Sequence, residues 1–81
     1  MSINKNNNTQ LKVLEVFSVV LDTSSYGIDL EKSWLDLECD SLHKVEAIMR
    51  LEEIFNIQID DNAFENCNNL SSVILYIDSL R

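Results

Sequence analysis

The sequence predicts an all-α fold: a four-helix bundle with a long loop between helices I and II and a short helix III. Three observations carry it. The 81 residues hold one glycine, Gly27, and no proline, which disfavours a sandwich or barrel built from many tight turns. Apolar residues recur at three- and four-residue steps in three separate stretches. A hydrophobic content of 46% with 25% charged residues suits one ordinary core, and the length leaves no room for a second core or a large cleft.

Residues 1–8 lack periodicity and are expected to form a flexible N-terminal tail, leaving residues 9–81 as the domain. Thr9 is placed to cap helix I, in which Val13, Leu14, Phe17, Val20 and Leu21 make one apolar face. Residues 22–40 contain Thr23, Ser24, Ser25 and Gly27, then Ile28, Leu30, Trp34, Leu35 and Leu37 without a sustained helical period. Such a long connection is usually functional or packed by its own side chains. Helix II is the clearest, over Ser41–Phe55, with Leu42, Val45, Ile48 or Met49, Leu51 or Glu52, and Phe55 in step. Asp40 suits its N-cap, because a carboxylate accepts from the free amides of the first turn. Residues 56–59 alternate like a strand but have nothing to pair with, so a connector with one Ile turned inward is expected. Asp60 and Asp61 can cap a short helix III over residues 62–67. Asn69 can cap helix IV, where Leu70, Val73, Ile74, Ile77 and Leu80 hold the helical spacing.

Fourteen acidic against six basic residues give a net charge of −8. That balance disfavours nucleic acid and anionic membranes, whose affinity comes mainly from Lys and Arg on the protein, and points to basic protein partners. The charge sits in the middle: residues 22–40 carry −5 and residues 41–67 carry −4. Cys39 and Cys67 make neither a disulfide framework nor a zinc pattern, so free thiols in a cytoplasmic protein are expected. No apolar run approaches a membrane span, and the polar, Asn-rich start is unlike a signal peptide.

Ser41 is the residue with chemical promise. It opens the strongest helix, it follows an acid, and the helix dipole there favours added negative charge, so a phosphodiester on its hydroxyl would be stabilised. Taken alone, an Asp-Ser pair is more often a plain helix cap than a modification site. Asp40, Ser41 and His43 as a catalytic relay fail, since neighbouring helical positions point in different directions. An EF-hand built on Asp36, Glu38 and Asp40 lacks the mid-loop Gly and the closing Glu. His43 has no companions for a metal, so no metal site is expected.

The stretch from Trp34 to Asp61 resembles the acyl carrier proteins of fatty-acid and polyketide synthesis. The likeness runs without a gap over residues 28–77. It rests on Asp36-Leu37, Asp40-Ser41-Leu42, Val45-Glu46, Leu51-Glu52-Glu53 with Phe55, Ile59 before Asp61, and Tyr76-Ile77. The resemblance implies a right-handed four-helix bundle and a carrier rather than an enzyme. In it a phosphopantetheinyl transferase attaches 4′-phosphopantetheine from coenzyme A to Ser41, with Asp40 aiding recognition, and the arm's thiol holds acyl groups as thioesters. It further implies a helix II docking face of Leu42, His43, Lys44, Glu46, Met49, Arg50, Glu52 and Glu53 for acyl-loading, condensing and tailoring enzymes with basic patches. An acyl pocket would involve Ala47, Leu51, Ile59, Phe64, Cys67, Val73 and Tyr76, although any one of these reads more readily as plain core. A monomer is expected.

Several positions depart from that pattern. Where the family commonly has Gly before the Asp-Ser, this chain has Glu38 and Cys39, and a non-Gly residue is expected to avoid a positive φ and alter the turn. His43, Lys44 and Arg50 interrupt the acidic stripe, and positive charge in a first helical turn opposes the dipole, so altered partner choice rather than helix stability is the expected reason for His43 and Lys44. Ile54 replaces an acid as an exposed apolar contact. Phe64 stands where a small residue is common and is expected to shorten or block the pocket. Cys39 is expected to be a small, partly buried filler. An aminoacyl or peptidyl carrier is the alternative within carriers, though Gly-Gly before the serine is usual there. A small acidic interaction bundle without a prosthetic group is the alternative outside them.

Overall fold

The computed structural model describes residues 5–80, with side chains from Asn8 onward. Four helices follow in order: α1 Lys5–Val20, α2 Ser41–Phe55, α3 Asp61–Glu65 and α4 Leu70–Leu80, with a single 3-10 turn at Ser25–Gly27 in the first loop. Among the described residues there is no strand, only an isolated antiparallel bridge between Ser33 and Asn69. None of these helices is long and apolar enough to cross a membrane. The α-helical bundle expected from the sequence is the fold observed.

Helix α1 begins earlier than the periodicity indicates. Lys5 to Asn8 are helical, and residues 1–4 of the expected tail lie outside the described residues. Thr9 is therefore no cap. It is fully buried, and its hydroxyl donates to Asp78 Oδ1 of α4 at 2.5 Å. That bond ties the first helix to the last across most of the chain. Val13, Val16 and Phe17 form the buried face of α1, while Leu14 is only half-buried. The core face is thus rotated toward Val16.

The core joins these residues to Ala47 and Leu51 of α2, Ile59, Phe64, Cys67, and Leu70, Val73, Ile74 and Ile77 of α4. Its centre is aromatic. Trp34, from the long loop, lies between Phe17 and Phe64 with ring centroids at 5.7 and 5.6 Å, both pairs stacked. The indole Nε1–H donates to the Cys67 carbonyl at 2.8 Å, so a half-buried polar tip is satisfied where the ring packs. The loop is further held by the Ser71 amide on the Leu30 carbonyl at 3.1 Å and by the Ser71 hydroxyl on Glu31. The long loop packs through Ile28, Leu30, Trp34 and Leu37, whereas Leu35, expected with them, is 86% exposed.

Caps set the remaining boundaries. Asp60 accepts from the Asn62 amide at 2.8 Å and starts α3 one residue before the expected position. The Asn69 side chain accepts from the Ser72 amide at 2.9 Å and starts α4. Asn56 closes α2 in the left-handed region at φ 54, and the Ile57 amide returns to the Glu52 carbonyl at 3.2 Å. Asn tolerates that conformation better than most residues. Ile59 is the connector's inward-turned residue.

Candidate functional site

The start of α2 is built by a reciprocal cap. The Asp40 carboxylate accepts from the His43 amide at 2.9 Å, and the Asp40 amide donates to His43 Nδ1 at 3.2 Å. Two of the amides a helix start leaves unpaired are thereby satisfied at once. The His43 amide, held to the Asp40 carboxylate, lowers that carboxyl's pKa below its ordinary value of 3.8, with a smaller Coulombic contribution from the imidazole. His43 is thus a capping residue, which corrects the expectation that helix stability does not explain it. Its Nδ1 accepts from the Asp40 amide and so completes the cap.

Ser41 follows at the first helical position, and it is exposed. Among the described residues no hydrogen bond occupies its hydroxyl. A cleft between α2 and α3 opens beside it, lined by Ser41, Lys44, Val45, Ile48, Met49 and Glu52 of α2 and by Asp61 and Glu65 of α3. A primary hydroxyl, open to solvent at the positive end of a 15-residue helix with a cleft leading away, fits a phosphodiester-linked arm.

Two further corrections concern residues before and after this serine. Glu38 adopts φ 57, in the left-handed region. A non-Gly residue therefore does not avoid the positive φ here, contrary to the expectation, and Glu38 carries the strain of that conformation. Lys44 also has a local reason to be there: its Nζ stands 5.3 Å from the Trp34 ring centroid, a cation–π contact. Cys39 is buried, and desolvation raises its thiol pKa above 9.0, with Lys44 opposing and Asp40 adding to the shift. A filler thiol is what the burial shows.

The apolar residues that set the sequence period of α2 do not all face the core. Leu42 is 79% exposed, Met49 62% and Val45 54%, while Ala47 and Leu51 are buried. They line a shallow surface together with Glu46, Arg50 and Glu53. The core-facing period runs instead through Ala47 and Leu51, with Ile48 and Phe55 half-buried. Arg50 reaches back to Glu46, with Nη2–Oε2 at 3.0 Å, so each moderates the other's charge on this face. Glu52 is turned away from it: its Oε2 accepts from the Ile59 amide at 2.8 Å and holds the connector that places Ile59 in the core. Glu53 is exposed.

The residues suggested for an acyl pocket come together. Ala47, Leu51, Ile59, Phe64, Cys67 and Val73 belong to one buried cluster, with Tyr76 packed against it. The Tyr76 hydroxyl accepts from the Asp60 amide at 3.2 Å, which anchors the start of α3 to α4. Phe64 is 1% exposed and stacked on Trp34. Sequence reasoning missed Trp34 as a contributor here. Its isolation among loop residues hid a ring that reaches both Phe64 and Lys44.

Residues 11–77 match the family described as a phosphopantetheine attachment site. The chain is 39% identical over 70 residues to an acyl carrier protein of Phytoplasma australiense, covering 85% of this chain and 90% of that one. It is 38% identical over 74 residues to an acyl carrier protein of Buchnera aphidicola subsp. Schizaphis graminum, covering 90% and 94%. An acyl carrier protein of Campylobacter fetus subsp. fetus is 39% identical over 71 residues, covering 83% and 92%. With the helical bundle and the exposed serine at the head of α2, these similarities establish that the chain belongs to the acyl carrier protein family, whose members bear 4′-phosphopantetheine.

Proposed function

We propose that this chain is a free-standing acyl carrier modified on Ser41, and that it delivers thioester-bound acyl groups to enzymes of fatty-acid, polyketide or other specialised biosynthesis. The observation that carries the reading is the Ser41 hydroxyl, exposed at the first position of α2 beside the capped Asp40. In attachment, Ser41 Oγ forms an ester bond to the phosphate of coenzyme A that bears the pantetheine. The pyrophosphate bond breaks, the adenosine bisphosphate half departs, and the hydroxyl proton passes to a base of the transferase. When bound, the group supplies a terminal thiol that holds acyl chains as thioesters.

This chain's own residues then position and present. The amides at the start of α2 favour the phosphodiester's negative charge, and Asp40 keeps that turn in place. Leu42, Val45 and Met49 offer an apolar contact bordered by Glu46 and Glu53, which suits a partner surface of apolar side chains ringed by Lys or Arg. Complementary charge speeds encounter, and a small contact lets go quickly, as delivery to successive enzymes needs.

The test is intact mass measurement after incubation with coenzyme A and a broad-specificity phosphopantetheinyl transferase. The expected result is a gain of one phosphopantetheine, absent in Ser41→Ala. No gain in wild type, under conditions that modify a known carrier, overturns the reading and leaves an interaction bundle without a prosthetic group.

A further inference from the structure

We propose that the cleft between α1 and α2 is a second docking surface, continuous with the α2 face, that takes an apolar side chain flanked by Lys or Arg on a partner protein. The cleft is lined by Glu15, Val16, Ser18 and Val19 of α1 and by Arg50, Glu53 and Ile54 of α2. Val16 is buried and forms its floor, while Val19 and Ile54 are 60% and 45% exposed on its walls. Two exposed β-branched apolar residues on neighbouring helices are a contact surface that neither helix needs for its own core.

Charge and continuity identify the occupant. Glu15 and Glu53 border the cleft, and its one cation, Arg50, is already held by Glu46. The local field is therefore negative and calls for a cation beside the apolar group. Arg50 and Glu53 also line the Leu42, Val45 and Met49 surface, so the two surfaces share an edge and one partner can span both. A second copy of this chain is a poor occupant, because two molecules at −8 repel. The proposal rests on the carrier reading for its biological sense, but its test does not depend on Ser41.

The probe is an amphipathic helical peptide of Leu and Lys, titrated into the isotope-labelled 81-residue chain, with Ser/Lys and Leu/Glu peptides of equal length as controls. The expected result is movement of the Ser18, Val19, Glu53 and Ile54 amide resonances with the Leu/Lys peptide and neither control. Ile54→Ser and Val19→Ser, both at exposed positions, should each weaken that peptide about fivefold, from the apolar area removed. Movement confined to residues 42–49, equal effects from the Ser/Lys peptide, or unchanged affinity in both variants overturns the proposal. So does self-association in sedimentation that Ile54→Ser abolishes, since a second copy would then be the occupant. The mass gain at Ser41, measured on the same samples, reports separately on the carrier reading.

Discussion

Asp40 and His43 satisfy each other's backbone amides across the first turn of α2, at 2.9 and 3.2 Å. This arrangement fixes the orientation of the turn that presents Ser41. Removing the imidazole leaves the Asp40 amide without its acceptor but leaves the His43 amide on the carboxylate. His43→Ala should therefore lower stability by about 0.5–1 kcal/mol, measured by urea denaturation. An unchanged or raised midpoint would show that the imidazole does not cap.

The same geometry gives a pH dependence at Asp40. Its carboxyl pKa is lowered on folding, first through the His43 amide. A depressed folded pKa contributes stability that is present above the unfolded pKa and is lost as pH falls through the folded one. The capped start of α2 should therefore weaken below about pH 4. In a carbon-detected titration Asp40 should protonate below 3.8, and it should still do so in His43→Ala, because the backbone amide remains. A value at or above 3.8 in wild type would remove the cap as the cause.

Glu38 at φ 57 is a side-chain-bearing residue in a conformation that costs non-Gly residues about 1–2 kcal/mol. Glycine relieves that strain and gives back part of the gain through a freer unfolded chain. Glu38→Gly should raise stability by about 0.5–1 kcal/mol. Asn56→Gly, at a residue already tolerant of φ 54, should change it less. Equal effects at the two positions would refute the assignment of strain to Glu38.

The periodic apolar faces and the caps Asp40, Asp60 and Asn69 are local features, and local patterns predict them well. Thr9 suggests a cap because it begins the apolar period, yet its partner Asp78 lies at the other end of the chain. Trp34 and Lys44 meet only because the long loop folds under α2. The outward turn of Leu42, Val45 and Met49 was hidden for a further reason: Ala47 and Leu51 supply a second apolar period on the same helix, and spacing alone does not choose between them. Glu38 holds a positive φ because neighbouring contacts outweigh one residue's strain, as in the Cys39 amide bond to the Trp34 carbonyl at 2.9 Å.

The two thiols give an alkaline prediction. Desolvation by burial is the largest influence on both Cys39 and Cys67, and it raises each above 9.0. A raised thiol pKa means that the folded state holds its protons more tightly. The stability so gained is fully present below the unfolded pKa and declines as pH rises through the folded one. Unfolding midpoints should fall above about pH 9, and less steeply in the Cys39→Ala, Cys67→Ala double variant. In the native protein both thiols should react slowly with an aromatic disulfide reagent and become fast on denaturation. Fast native reaction would place at least one of them outside the core.

Phe64 stacks on Trp34 in the cluster that holds Ala47, Leu51, Ile59, Cys67 and Val73. If those residues can part to admit an acyl chain, the ring occupies the space the chain would take. Phe64→Ala should cost about 3–5 kcal/mol, a large share of the 5–15 kcal/mol that holds a small domain together. An acyl chain on the arm proposed for Ser41 would refill part of the void at about 0.8 kcal/mol per buried methylene. Octanoylation should therefore raise the melting temperature of Phe64→Ala by several degrees over its unacylated form, and raise that of wild type by less. Phe64→Leu, which leaves a smaller void, should fall between them and serves where the alanine variant does not fold. The same shift in wild type and in both variants would show that Phe64 does not limit the pocket, and the chain would then lie outside the core.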